Sequence, residues 1–300
     1  MRYTGLVGAV LVANLLVGGL VSSGRAGEGE SEAAPVVQAL KQLGASVKLD
    51  DWGEAIAVDF SRAKLGGYDL AQLLLLRNLK SVKFSRQPIA DADVVKLAGH
   101  AKLKSLGLDD SKITDAGLAA VVGMTTLEEL LLANTAVGDA GVEHLLKLPR
   151  LKRLRLSGSR ITDAGLVRLT ALRNLQDLDL SKTSVGDAAL KGIGSLRSLV
   201  RLNLWTTDVT DAGLDSLRNV SNLKWLNLDN TKVTDAGLSS LKPLAGLEFL
   251  HLGRTRITDG GVKYLAGFTK LQQLHVTHTK VTAAGVEQLQ RALPKCDIKR

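Results

Sequence analysis

Apolar residues return along this chain on a fixed beat. Leu79, Leu103, Leu127, Leu151, Leu175, Leu199, Leu223, Leu247 and Leu271 stand 24 residues apart with no insertion, and each opens the pattern L-x-x-L-x-L, with Val82 and Phe84 in the first copy and Val276 in the last standing for leucine. With that leucine as position 1, apolar residues fall at 1, 4, 6, 11, 16, 19 and 22, as in Leu223, Leu226, Leu228, Val233, Leu238, Leu241 and Leu244. Positions 4 and 6 alternate with polar neighbours, which is the period of a strand, whereas 16, 19 and 22 keep the three-residue spacing of a short helix. Each unit therefore predicts strand, turn and helix. A degenerate copy precedes the nine, with Ala55, Val58, Phe60, Leu65, Leu70, Leu73 and Leu76 in the same places. A unit of this size cannot enclose its own apolar face, so it must stack on its neighbours and share one continuous core. Strands stack about 4.8 Å apart and helices about 10 Å apart, which predicts a curved stack with strands inside and helices outside.

The repeated L-x-x-L-x-L and I-T-D-A-G-L phrases resemble leucine-rich repeats, specifically the ribonuclease-inhibitor-like subclass of strand plus helix, over residues 55–300. The resemblance implies an α/β solenoid, a curved right-handed horseshoe with a parallel sheet on the concave face and short helices on the convex face. It also implies about ten repeats and a truncated closing strand around Ile298. Position 9 departs from the usual Asn or Cys and carries Thr135, Thr183, Thr207, Thr231, Thr255 and Thr279, whose hydroxyls are expected to bond turn backbone in a neighbouring repeat. Asp91, Asp115, Asp139, Asp163, Asp187, Asp211, Asp235 and Asp259 all occupy position 13, where the turn enters the helix. They are expected to accept bonds from the free amides of the first turn, with the Thr or Gly just before them as the rival cap. Gly117, Gly165 and Gly237 at position 15 are expected to keep that turn thin. Eight identical uses of the acid argue for architecture over catalysis.

The ends differ from the array. Residues 33–44 read as an amphipathic helix and 46–60 as two short strands around a polar turn, so that residues 27–54 form a cap and linker. Residues 1–26 have the layout of a secretory signal: Arg2, an apolar run from Gly5 to Val21, then small residues with cleavage after Ser23 or Ala26. The alternative is an uncleaved signal anchor, the only route to a membrane here. Export places the chain outside the cell, in the periplasm or at the envelope. The lone Cys296 allows no internal disulfide, so stability must come from the core.

Chemistry is sparse. No G-x-S-x-G, G-x-x-x-x-G-K, H-E-x-x-H or C-x-x-C motif occurs, which argues against an enzyme and against cofactor or metal sites. Side chains at positions 3, 5, 7 and 8 face away from the core. In the middle of the array Arg153, Asp177 and Arg201 are predicted side by side, as are Arg155 and Asp179, either as a self-paired ladder or also as a guide for a charged partner. Further on, Trp225 and Phe249 are neighbours at position 3, with Trp205, Asn203, Asn227, His251 and His275 around them. Aromatics make up only 3% of the chain, so this cluster is the candidate site for a protein or peptide partner, against the alternative that it merely self-packs. The net charge of +9 is spread without a dense basic block, which supports no specific nucleic-acid site. It leaves a polyanion or glycan as the second candidate, through the position-10 residues Lys112, Arg160, Lys232, Arg256 and Lys280. Inhibition of a ribonuclease does not follow from the resemblance, because a basic enzyme calls for an acidic arc.

Overall fold

The computed structural model describes residues 32–300, and the reading of residues 1–26 as a signal lies outside the described residues. Twelve strands among the described residues form one open sheet in sequence order. They are β1 (Ser46–Leu49), β2 (Ala55–Asp59), β3 (Ser81–Lys83), β4 (Ser105–Gly107), β5 (Glu129–Leu131), β6 (Arg153–Arg155), β7 (Asp177–Asp179), β8 (Arg201–Asn203), β9 (Trp225–Asn227), β10 (Phe249–His251), β11 (Gln273–His275) and β12 (Asp297–Lys299). From β2 onward every pair is parallel, and each residue faces its counterpart one repeat later, as Arg153 faces Asp177 and Phe249 faces Gln273. β1 pairs antiparallel with β2, and the helix α1 (Ala33–Gln42) buries Val36 and Leu40 in front of it. At the far end β12 sets Ile298 opposite Leu274. Both ends of the core are thus covered, as an open parallel sheet requires.

The core follows the sequence period. Leu103, Leu106, Leu108, Ile113 and Leu118 are fully buried, and the same positions are buried in each later repeat except at Val286 in the last, which is partly exposed. The elements on the opposite side are short, for example the helices Asp115–Val121, Asp163–Leu166 and Asp211–Leu214, and several continue as a 3-10 turn, as at Leu169–Ala171 and Asp215–Asn219. A 3-10 turn eclipses residues three apart, which is the spacing of the apolar positions 16, 19 and 22.

The TDAGL phrase works differently from the expectation. The cap is the threonine: Thr114 Oγ1 accepts the Ala116 N–H at 3.2 Å, and Thr210 and Thr234 accept in the same way. The aspartate does not serve the amides of its own helix. Asp91 accepts the Thr114 N–H at 2.9 Å and the Thr114 hydroxyl at 2.6 Å, one repeat onward. The pairs Asp139–Thr162, Asp187–Thr210, Asp211–Thr234, Asp235–Thr258 and Asp259–Thr282 repeat this double bond. Where Gly138 or Gly186 replaces threonine, only the N–H bond remains, at 2.6 Å. The Thr282 hydroxyl, and behind it the Thr282 N–H, hold the Asp259 carboxyl below the ordinary carboxylate value. Position 15 supplies the room. A Cβ on Gly165 would lie 2.6 Å from Asp139 Oδ1, and one on Gly213 would lie 2.5 Å from Asp187 Oδ1. The glycine therefore makes space for the preceding repeat's carboxylate, and acid, threonine and glycine form one staple between repeats.

Position 9 also needs correction. The hydroxyls of Thr135, Thr183, Thr207 and Thr231 donate to the carbonyl three residues back in their own repeat, at 2.6–2.8 Å. At this position the threonine hydroxyl is used within its own repeat, whereas the longer Gln87 amide reaches back to the carbonyls of Phe60 and Ala63 at 2.7 and 3.2 Å.

Candidate functional site

The outward-facing position-3 side chains form an unbroken row across the sheet because parallel register sets them one strand apart. Ser105 Oγ donates to Glu129 at 2.6 Å, and Arg153 binds Glu129 at 2.9 Å and Asp177 at 3.2 Å. Burial is the largest influence on Glu129 and pushes its carboxyl up, but the Ser105 hydroxyl and the Arg153 guanidinium together bring it below the ordinary value. Arg201 Nε lies 3.5 Å from Asp177 and its guanidinium carbon 4.3 Å from the centre of the Trp225 ring. Trp225 in turn stacks on Phe249 with ring centres 4.7 Å apart and planes 8° apart. Beside the row stand two imidazoles from position 5: His275 lies 5.4 Å from Phe249 and stacks on His251 at 4.6 Å. The charged pairs are exposed enough that each is worth only about 0.2–1 kcal/mol. Their effect is to hold Arg201 in place, and Arg201 covers one face of Trp225 while Phe249 covers the other.

Trp225 and Phe249 remain half-buried, and a cleft opens on each side of the indole. One, of about 320 Å³, is lined by Arg153, Arg155, Asp177, Asp179, Arg201, Asn203 and Trp225. The other, of about 420 Å³, is lined by Arg201, Lys224, Trp225, Glu248, Phe249, Gln272 and Gln273. Among the described residues Arg201 has no ion pair other than Asp177, and it lines both clefts. No group of His, Cys, Asp and Glu among the described residues could hold a metal ion.

A family model described as Leucine Rich repeat matches residues 147–169 and 247–266. Among solved structures, the internalin inlF of Listeria monocytogenes is similar at 23% identity over 77% of this chain and 70% of its own, with a TM-score of 0.61. Internalin C2 of the same organism is 25% identical over 83% of this chain and 93% of its own, with a TM-score of 0.56. The Arabidopsis receptor kinase HAESA ectodomain, in complex with an IDA peptide hormone, is 15% identical over 85% of this chain with a TM-score of 0.62, and the chain spans 46% of it. None of the curated proteins matches this chain. It is a leucine-rich repeat protein.

Within this leucine-rich repeat protein some of the expected site residues have other occupations. Trp205 is not part of the aromatic stack: its partner is Lys182, whose Nζ stands 4.6 Å over the ring. Asn203, Asn227 and His251 at position 5 each accept the N–H two residues on, at 3.2, 2.9 and 3.2 Å, and so fasten the turn that leaves the strand. His251 must be unprotonated at Nδ1 to do this. Burial, the largest influence on both rings, lowers the His251 and His275 pKa values. Beneath them Asp229 is buried, with Oδ2 on Arg254 and Oδ1 at 3.8 Å from His251 Nδ1 without a hydrogen bond. Of the position-10 basic residues, Lys232 is paired to Asp208 at 2.6 Å, and only Lys232, Arg256 and Lys280 occupy consecutive repeats.

Sequence reasoning missed the turn at position 8. Arg86, Asp110, Asn134, Gly158, Lys182, Thr206, Asn230, Arg254 and His278 all have φ between 53° and 65°. The left-handed step lets the strand exit turn while its N–H groups still bond the next layer, as Lys182 does to Trp205 O and Thr206 to Asp229 O at 2.8 and 3.0 Å. The Asn and Gly at this position were the available signal.

Proposed function

We propose that this leucine-rich repeat protein is an exported, non-catalytic scaffold that binds a protein or peptide partner on the outward sheet face around Trp225 and Phe249. The observation that carries the reading is the half-exposed stack between two clefts, in a chain where aromatics are only 3% of residues. Half-exposed aromatics beside a positioned arginine are the composition of binding hot spots. The HAESA ectodomain, solved in complex with a peptide hormone, supports the same use of this fold. The geometry favours a polypeptide over a glycan: a sugar ring packs on the face of an aromatic, and Arg201 and Phe249 occupy both faces of Trp225. Ring edges, the indole N–H and the guanidinium are what remain to offer, and these suit backbone carbonyls and polar side chains.

A photo-crosslinking residue at Gln273, on the sheet face, should trap the partner in the native source, and one at Lys191, on the helix side, should not. Trp225→Ala with Phe249→Ala should weaken capture by roughly 30- to 1,000-fold while circular dichroism stays unchanged. Equal capture from both positions, or by the double variant, refutes the reading. Capture that disappears steeply with salt and survives the double variant would instead favour a polyanion on the basic rim. The mass of the mature chain from the native source tests export, since an intact Met1 contradicts cleavage.

A further inference from the structure

The β1–β2 turn holds the most exposed aromatic among the described residues: Trp52 is 85% exposed. It is not a loose loop. Asp50 Oδ1 accepts the N–H groups of Trp52 and Glu54 at 3.0 and 2.9 Å, and the Gly53 N–H bonds Asp50 O at 3.1 Å. The turn therefore presents an indole on a fixed stalk ringed by Asp50, Asp51 and Glu54, none of which has an ion pair among the described residues. An indole held in water is a cost that folding of this chain does not recover.

We propose that the Trp52 tip docks in the Trp225–Phe249 cleft of a second copy of this chain, forming a twofold dimer with two such contacts. The proposal rests on the reading of that cleft as a docking surface and names its occupant in the absence of another partner. Two observations carry it. The charges match: an acidic, unpaired tip meets a cleft lined by Arg201 and Lys224, in which the one carboxylate, Glu248, is paired with Lys224 at 2.9 Å and leaves Arg201 in excess. The placement also matches. The tip immediately precedes β2, and the cleft is built from residues at the beginning of β8 to β11 or just before it, so both lie on the rim where the parallel strands start. From β2 to β9 is seven strand spacings, roughly 34 Å. Two such rims set antiparallel about a twofold axis bring each tip to the other's cleft in one move, and the interface closes on itself.

Sedimentation velocity of the full chain tests this. The wild type should pass from monomer to dimer at concentrations up to about 100 µM. Trp52→Ala should raise the dissociation constant by at least about a hundredfold, since both contacts are lost. Trp225→Ala with Phe249→Ala should do the same. Neither variant should dimerise alone, but a mixture of the two should form a heterodimer, because one intact tip and one intact cleft remain. A wild type that stays monomeric, a Trp52→Ala chain that dimerises like wild type, or a mixture without complementation overturns the proposal. Loss of association only in the cleft variant would also overturn it while leaving the cleft as a docking surface for another protein. Crosslinking of a different protein at Gln273, by contrast, tests the functional reading alone.

Discussion

Replacing Gly117 by alanine should destabilise the protein only when Asp91 is present. Alanine is better than glycine in a helix by about 1 kcal/mol, and the backbone at Gly117 is compatible with a side chain, since its φ is not positive. On propensity alone the change should stabilise. In the wild type, however, the new Cβ would collide with Asp91 Oδ1 and stand 3.1 Å from its Cγ. The carboxylate would have to leave the Thr114 N–H and hydroxyl, which it holds at 2.9 and 2.6 Å. Charge-assisted bonds are worth about 1.5–3 kcal/mol each when sheltered, and these are partly exposed, so their joint loss should cost about 2 kcal/mol. Gly117→Ala should therefore destabilise the wild type by about 1 kcal/mol. Asp91→Ala should cost about 2 kcal/mol. In that background the nearest remaining obstacle is Ile113 Cγ2 at 3.2 Å, which a slight shift relieves. Gly117→Ala should then be neutral or stabilising by up to about 1 kcal/mol, a coupling of about 1–2 kcal/mol.

Urea unfolding followed by circular dichroism measures the four members of the cycle, with a constant slope required before midpoints are compared. Equal effects of Gly117→Ala in both backgrounds would refute the staple. So would stabilisation of the wild type by Gly117→Ala, because it would show that the carboxylate was not engaged.

Leu226 is fully buried on β9, and Leu226→Asp should prevent cooperative unfolding or lower stability by several kcal/mol, whereas Leu226→Ala should cost about 2–5 kcal/mol, both read from urea midpoints. Thr206 is a β-branched residue at φ 55° and should be replaceable by asparagine with a gain of about 0.5–1 kcal/mol, since an Asn carbonyl can still accept the Asn230 amide; a loss would show that the left-handed turn is unstrained. Burial, the largest influence in each case, lowers the pKa values of His100, His251 and His275, so the unfolded chain binds these protons more readily. Their contribution is complete above the unfolded value of about 6.5 and is lost as pH falls below it. Urea midpoints should therefore drop between pH 7.5 and 5, less so in His251→Gln with His275→Gln, and a flat profile refutes the assignment. The lowered carboxyls of Asp59, Glu129 and Asp259 act in a separate window, their contribution being lost below about pH 4.

The 24-residue spacing by itself determined the strands, the buried positions and the one-repeat register, because a unit with a strand period and a three-residue period has few ways to bury both. It also determined that Trp225 and Phe249 would be neighbours, since equal positions in parallel strands must lie side by side. It did not determine what recurring residues bond. Asp91 sits one residue from its helix cap, yet its partners are 23 residues away, and only the stacked layers reveal that the intervening space belongs to the glycine. The same limit applied at the sheet face. Trp205 could be placed near the aromatic pair by position, but its ring lies under Lys182, and Asn203, Asn227 and His251 are engaged by backbone two residues on. Side-chain direction at an exposed position is settled by neighbours a strand spacing away on either side, through contacts worth about 1 kcal/mol or less. Burial of a leucine is worth two to three times as much at about 1.5–3 kcal/mol, recurs in every layer, and for that reason leaves the stronger mark on the sequence.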